Sequence, residues 1–402
     1  MTRSAQATLW LGVIAVVLLS VNLRPGATSV GPVLAEVRVG LGMGSALAGV
    51  LTALPGMAFA VFGALAVSLG LRLGLAGAIA AGAVASAIGL LARSLASSVP
   101  VFLAFTVLAF AGMAIGNVLV PAYVKRHYPN RLASLMSGYT VGLALGATLA
   151  SLVSAPLSQG TPEGWRTSLG VWGVAAALAA VPWVALAVLE RRRHARHPAG
   201  GRPSGSVLGV VGSRKAIALA MFFGMQAMQA YVQFGWIAQM YRDGGLDAAQ
   251  AGAMASLIAA FGIPAGFVMP SLAARLADPR PVVWALGAFL LVGYGGILIA
   301  PTALPVLWAI CLGMSSFAFP FAMALITVRT RDHHVTTQLS GFTQSVGYVF
   351  SALGPLLVGV LSEATGGWVA PLWFLLGSAV VFTAAGLVAA APGYVDDELS
   401  RG

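Results

Sequence analysis

The segment VNLRPGATSVGP, residues 21–32, places a permanently charged arginine inside an otherwise apolar stretch of the chain. Arg24 is followed directly by Pro25, which has no N–H and loosens the helix that the flanking residues predict. A guanidinium presents a planar fork of donors that suits an anion or another electron-rich acceptor. Thr28 shares a helical face with Arg24, and Asn22 belongs to the same segment. We therefore predict that these three residues bind substrate.

Two further stretches carry polar side chains along one helical face. The first comprises Gln226, Gln229, Gln233 and Trp236, and the second comprises Ser340, Gln344, Tyr348 and Ser351. An amide in lipid is costly unless it finds a hydrogen-bond partner, which favours a wet substrate cavity beside the glutamines. Hydrogen bonds between neighbouring helices are the alternative interpretation, and for the single serines they are the preferred one.

Three more candidates stand alone in apolar surroundings. Asn117 and Tyr139 either reach a cavity or pack between helices, and their sequence context favours neither. In SSFAFPFAM, Phe317 and Phe319 lie shortly before Pro320, where aromatic rings usually pack beside the kink. We expect one of these rings, with Phe317 as the candidate, to close a substrate cavity.

The composition places these residues in a membrane protein. Hydrophobic residues make up 59% of the 402 residues and charged residues only 8%, against about 25% charged residues in soluble proteins. The single cysteine, Cys311, excludes an intrachain disulfide and any multi-cysteine metal site. We expect no cofactor.

The predicted fold is an all-α membrane protein with twelve transmembrane helices. Stretches of about 20 apolar residues are long enough to span a bilayer. The windows are 8–34, 44–70, 73–92, 99–124, 132–157, 167–189, 216–240, 249–274, 281–300, 304–328, 336–362 and 367–391. Arg24 is the one charged residue in all of them, and burying a cation at the membrane centre costs about 2.5–3.5 kcal/mol. Such a residue tends to face a wet cavity; snorkelling towards an interface is the alternative.

The distribution of basic residues predicts the orientation. With the N-terminus inside, 17 of the 22 Lys and Arg residues fall on the cytoplasmic side, whereas Arg38, Arg93, Arg166 and Arg242 fall outside. Both termini are then cytoplasmic. We expect a multi-pass protein in contact with the lipid bilayer. The net charge of +11 is explained by topology and anionic lipids and requires no nucleic acid.

The two halves of the chain resemble each other at a constant offset of 203 residues. SGYT at 137–140 matches SGFT at 340–343, and Gly164-Trp165 matches Gly367-Trp368. A shared register over both halves indicates a duplicated six-helix unit. We predict an N-terminal bundle at 1–190, a basic cytoplasmic linker at 191–213 and a C-terminal bundle at 214–402. Arg24 has no counterpart, because Ala227 stands 203 residues later.

Two segments carry a resemblance to a known family. NLRPGATSVGP resembles the first-helix signature of the cyanate and 2-nitroimidazole porters of the major facilitator superfamily, and NVLVPAYVKRHYPNRLASLMSGYT resembles their fourth-to-fifth-helix segment. The resemblance implies the major facilitator superfamily fold, with substrate near the midplane. It also implies transport of small anionic or polar nitrogen-containing solutes across the bacterial inner membrane. The superfamily's aspartate in the loop between helices 2 and 3 is missing from GALAVSLGLRLG.

Other classes of function fit less well. The chain has no Walker loop, and its histidine-bearing loops have too few acidic partners for a catalytic or metal site, so we expect no enzyme. A channel is disfavoured because one asymmetric cation suits a carrier site better than a filter. The main alternative is a multidrug or metabolite efflux facilitator, although drug pumps for cations generally use carboxylates inside the membrane.

The acidic residues bear on energy coupling. All eleven fall in loops, at helix ends or in the C-terminal tail. We therefore expect uniport, or cotransport of a proton that travels with the substrate, by a secondary active or facilitative transporter. We also expect the protein to be a monomer.

Overall fold

The computed structural model describes residues 3–161, 163–194 and 210–399. The described chain is α-helical, with short turns and two 3₁₀ turns. Twelve of its segments are long and apolar enough to cross a membrane, so the predicted fold class is confirmed. They are Thr8–Leu41, Ser45–Ala66, Leu75–Ser94, Val99–His127, Ser134–Ser158, Gly164–Arg191, Arg214–Asp243, Ala248–Arg275, Arg280–Ile299, Pro305–Val328, Gln338–Thr365 and Val369–Ala390.

Seventeen α-helices make up these segments and their connections within the described residues. In chain order they are α1 (Arg3–Asn22), α2 (Pro25–Thr28), α3 (Leu34–Leu41), α4 (Ser45–Leu73), α5 (Leu75–Ser94), α6 (Val99–His127), α7 (Leu132–Ser158), α8 (Gly164–His194), α9 (Arg214–Asp243), α10 (Ala248–Ala260), α11 (Gly262–Arg275), α12 (Arg280–Ile299), α13 (Pro305–Ser315), α14 (Ala318–Val328), α15 (His333–Thr365), α16 (Val369–Ala390) and α17 (Val395–Leu399). The 3₁₀ turns are Gly31–Val33 and Pro129–Arg131.

The first span is broken twice, and a proline stands at each break. Pro25 is the first residue of α2, and Pro32 lies in the 3₁₀ turn that precedes α3. A proline leaves the carbonyl four residues before it without its helical donor, so the chain tightens or turns at these points. The helix then continues to Leu41, seven residues beyond the predicted window, and includes Glu36 and Arg38.

The chain forms two compact units. Residues 3–43 and 57–194 belong to the first unit, and residues 44–56 and 210–399 belong to the second. The start of α4 therefore packs with helices of the C-terminal half. Most of the predicted linker, residues 195–209, lies outside the described residues.

Small residues allow the helices of the first unit to approach closely. A side chain at Gly112 of α6 would collide with the Gly82 carbonyl of α5, and the Ser86 hydroxyl donates to the Ala109 carbonyl at 3.2 Å. Close approach through small residues is a main source of helix association where lipid provides no hydrophobic driving force.

Glycines also allow close packing at the start of α4, in the second unit. A side chain added at Gly49 would meet the Leu356 carbonyl of α15 at 3.1 Å, and one at Gly56 would meet the Ala352 backbone nitrogen at 2.7 Å. The Glu363 carboxylate also accepts a hydrogen bond from the Ala46 N–H.

Candidate functional site

Arg24 stands at the break between α1 and α2. It is half-buried, and it follows Thr8 by 16 residues and precedes Leu41 by 17, so it lies midway along the first span. Its backbone carbonyl accepts hydrogen bonds from the Ala27 N–H at 3.0 Å and the Thr28 N–H at 3.1 Å. The Thr28 hydroxyl donates to the same carbonyl at 3.2 Å. The interruption thus presents a cation from an irregular stretch of backbone at mid-span.

Close packing from α7 supports the end of α1. A side chain at Gly142 would collide with the Ser20 hydroxyl, and one at Gly146 would collide with the Val21 carbonyl. Because Pro25 cannot donate to that carbonyl, Val21 lies at the weakest point of the helix. The glycines of α7 therefore let a neighbouring helix pack directly against the break.

A second arginine, Arg93, contacts the break. The distribution of basic residues predicts an external loop at this position, whereas Arg93 is the penultimate residue of α5 and is fully buried. Its Nη1 donates to the Gly26 carbonyl at 2.9 Å, and its Nη2 lies 3.5 Å from the Ser29 hydroxyl. Arg93 lies one residue past the predicted window 73–92, and this position at the edge of an apolar run is the only indication of its burial that the sequence offers.

The other candidates of the first unit make hydrogen bonds of their own. The Asn22 amide donates to the Leu18 carbonyl at 2.8 Å, within α1. The Tyr139 hydroxyl of α7 donates to the Asn117 side-chain oxygen of α6 at 2.9 Å. The separate candidates Asn117 and Tyr139 are thereby brought together, a contact that the sequence did not predict. Asn22, Arg24 and Thr28 share one short segment.

The polar face of α9 is deeply buried in the second unit. The Gln229 amide donates to the Ser378 hydroxyl of α16 at 2.7 Å, and the Gln233 amide donates to the Tyr294 hydroxyl of α12 at 3.3 Å. The Trp236 indole donates to the Pro355 carbonyl of α15 at 3.0 Å. These contacts are hydrogen bonds between neighbouring helices, as the alternative interpretation of this stretch predicts. The buried Gln226 and Gln229 side-chain oxygens have no hydrogen-bond partner within the described chain.

The remaining candidates, on α15 and beside α14, make one hydrogen bond and two aromatic contacts. The Gln344 amide donates to the Ser340 hydroxyl of the same helix at 2.9 Å. The Tyr348 ring meets the Phe223 ring edge-on, with centroids 6.4 Å apart. Phe317 is buried against the Phe261 ring at 6.5 Å, at the break between α13 and α14.

Comparison with known sequences shows one family. The Major Facilitator Superfamily profile matches residues 13–355. The uncharacterized transporter YycB of Bacillus subtilis (strain 168) is 35% identical over 388 residues, which are 96% of this chain and 94% of that protein. The 2-nitroimidazole transporter of Escherichia coli (strain K12) is 29% identical over 89% of both chains.

Two further proteins complete the comparison. The cyanate transport protein CynX of Escherichia coli (strain K12) is 28% identical over 88% of this chain and 90% of that one. Among solved structures, the D-xylose-proton symporter superposes with a TM-score of 0.74, at 12% identity and over 97% of both chains. At that identity the structural likeness establishes the fold and nothing finer.

Proposed function

Because the chain belongs to the Major Facilitator Superfamily, we propose that it is a secondary active or facilitative transporter that moves a small anionic or polar nitrogen-containing solute by alternating access. The relatives are transporters and not enzymes. The names of the two Escherichia coli relatives support a solute of the cyanate or nitroimidazole kind.

The observation that carries this proposal is Arg24 at the middle of a broken first span. Burying a cation at that depth costs about 2.5–3.5 kcal/mol, a cost that a bound anion offsets. An arginine side chain is not deprotonated in proteins, so a residue of this type can bind an anion without exchanging a proton. Asn22 and Thr28 on the same segment add short polar groups beside it.

The charge distribution supports the rest of the proposal. We propose that the protein lies in the bacterial inner membrane, as its resemblance to the cyanate and 2-nitroimidazole porters implies. Both termini are then in the cytoplasm, because 17 of 22 basic residues lie inside in this orientation. Within the spans of the described chain, the acidic residues Glu36, Glu190, Asp243 and Glu363 lie no more than five residues from a span end. Any cotransported proton therefore travels with the substrate.

The test compares two arginines of the same span. Arg24→Gln in proteoliposomes should abolish saturable uptake of cyanate and of 2-nitroimidazole, and Arg24→Lys should restore only part of it, because an ammonium cannot reproduce a bidentate fork. Arg38 is the matched control. Its Nε donates to the Met43 carbonyl at 3.3 Å near the end of the span, so Arg38→Gln should transport normally.

Two results would contradict the proposal. The first is wild-type uptake by Arg24→Gln. The second is equal loss of uptake in Arg24→Gln and Arg38→Gln, since a general effect of charge on the segment would then explain the phenotype. Thermal unfolding in detergent checks that each variant is folded.

A further inference from the structure

Arg93 is a fully buried cation that contacts the interrupted segment carrying Arg24. Its Nη1 bonds the Gly26 carbonyl at 2.9 Å, two residues after Arg24, and its Nη2 faces the Ser29 hydroxyl at 3.5 Å. Its Nε has no hydrogen-bond partner within the described residues. A cation is costly to bury in a membrane protein, and methionine would occupy similar space without that cost. Arginine differs from methionine here in its contacts with the Gly26 carbonyl and the Ser29 hydroxyl.

The Gly26 carbonyl needs this donor because of the break itself. In a continuous α-helix it would accept the N–H of Val30, four residues later. Here the Val30 N–H donates to the Ala27 carbonyl at 3.3 Å, as the chain tightens towards the 3₁₀ turn at Gly31–Val33. A buried carbonyl without a donor is strongly disfavoured. Arg93 supplies the missing donor and so stabilises the interrupted backbone.

Neither Arg24 nor Arg93 has a counterpart in the second half of the chain. The residue 203 positions after Arg24 is Ala227, and the residue 203 positions after Arg93 is Gly296. Both cations thus belong to the first half of the chain alone, like the break that they share. The duplicated scaffold explains neither of them.

We propose that Arg93 is a positioning residue for substrate recognition, because it fixes the Gly26 carbonyl and hence the direction in which the adjoining Arg24 presents its guanidinium. Arg93 does not itself contact substrate. This inference rests on the proposed role of Arg24 as the anion-binding group.

Arg166 provides a matched control at the same end of α5. Its Nη1 donates to the Ser94 carbonyl at 3.1 Å and to the Ala96 carbonyl at 2.6 Å. It therefore makes the same kind of guanidinium–carbonyl bond within the same unit, but to carbonyls at the end of α5 and not to the break. Arg166→Met should lower thermal stability and leave substrate affinity unchanged.

The first experiment measures cyanate uptake by the full chain in proteoliposomes. Arg93→Met should raise KM about tenfold with kcat little changed, the scale of one lost bond from a charged donor. Arg93→Lys should raise KM by a smaller factor, because an ammonium replaces the bond to Gly26 but not the fork. Arg166→Met should keep the wild-type KM.

A second readout does not depend on transport. Ala27 is half-buried, one helical turn after Arg24, and the native Cys311 is buried. In a chain carrying Ala27→Cys and Cys311→Ser, the ratio of reaction rates with anionic and cationic methanethiosulfonate reagents reports the charge near residue 27. Arg24→Gln and Arg93→Met should each lower this ratio, and Arg166→Met should not. Because Arg93→Met also removes a charge beside residue 27, the decisive variant is Arg93→Lys, which keeps that charge and should still lower the ratio.

The outcomes separate the two proposals. Wild-type KM and labelling ratio in Arg93→Met, with both altered in Arg24→Gln, would overturn the inference and leave the proposed function standing. Wild-type behaviour of Arg24→Gln would overturn both. Equal changes in KM and labelling ratio in Arg93→Met and Arg166→Met would also overturn the inference, because Arg93 would then act only on the stability of the fold. If Arg93→Met does not fold, Arg93→Lys decides, since a wild-type KM and labelling ratio in that variant would also overturn the inference.

Discussion

At the scale of single residues, Gln229 offers a clear test of whether the amides of α9 bind substrate or hold helices together. Its amide donates to the Ser378 hydroxyl at 2.7 Å across to α16. Gln229→Ala should lower the free energy of unfolding by about 0.6 kcal/mol, the typical value of a hydrogen bond between membrane helices. With this geometry KM for the solute should stay unchanged. Chemical unfolding in detergent and uptake in proteoliposomes measure the two quantities.

Ser378→Ala is the control, because it removes the same bond from the other side. Both variants should destabilise the protein equally and transport alike. A tenfold rise in KM confined to Gln229→Ala would instead assign the amide to the substrate, since the loss of a bond to a charged ligand is about 1.5–3 kcal/mol.

The sequence alone indicates Arg24 as a candidate but does not indicate Arg93 or the hydrogen-bond partners of the glutamines, and the reason is physical. Arg24 is a candidate from the chain alone, because a charge in the middle of an apolar run is visible in the sequence. Arg93 was missed because an arginine at the end of an apolar run is ordinary, and its burial depends on the partner helix that carries Gly26. The partners of Gln229 and Gln233 lie 149 and 61 residues away, distances that helical periodicity does not reach.

At the scale of elements, the contact of α7 with α1 depends on a glycine. A side chain at Gly146 would collide with the Val21 backbone, which cannot yield as a flexible side chain does. Gly146→Val should therefore destabilise the first unit by about 1–3 kcal/mol, the usual cost of overpacking. Thermal unfolding followed by size-exclusion chromatography measures the loss.

Gly138 is the matched position on the same helix, because an added side chain there would have no atom within 4 Å. Gly138→Val should leave stability close to that of the wild type. A destabilisation as large as that of Gly146→Val would mean that glycine matters in α7 for reasons other than the approach to α1.

The membrane-spanning helices are predictable from the sequence. Hydropathy predicted all twelve spans, because a membrane-crossing helix must bury its whole length in an apolar medium. The family resemblance read from the first-helix segment is also confirmed by the relatives. The breaks within the first span were harder to place, since a proline at position 25 permits an interruption but neighbouring helices determine its shape.

At the scale of the whole molecule, the C-terminal tail is fastened to the second unit by a carboxylate. Glu398 accepts hydrogen bonds from the Ser213 hydroxyl at 2.6 Å and the Lys215 N–H at 3.0 Å. Partial burial opposes ionisation of this carboxyl, but the hydrogen bonds outweigh it and hold its pKa below the ordinary value of 4.5. A lowered pKa means that the contact stabilises the fold above pH 4.5 and loses that effect as the pH falls through the lowered value.

Glu398→Gln should consequently lower the melting temperature at pH 7 and show a smaller further loss on acidification than the wild type. Melting curves at pH 7 and pH 4 measure both effects. Glu163 serves as control, since its side chain is 75% exposed and its ion pair with Arg166 lies at the surface. Glu163→Gln should melt like the wild type at both pH values, and an identical acid response of both variants would refute the role of Glu398.

The start of α4 has a consequence for biosynthesis. Ala46 and Glu363 are hydrogen-bonded, yet they are 317 residues apart in the chain. At a translation rate of about 5–20 residues per second, residue 46 leaves the ribosome roughly 15–60 s before its partner. During that interval the glycine-lined face of residues 44–56 lacks the surface of α15 against which it packs. Completion of the second unit must therefore wait for nearly the whole chain to be translated, and a ribosome that stalls before residue 363 leaves this segment without its partner.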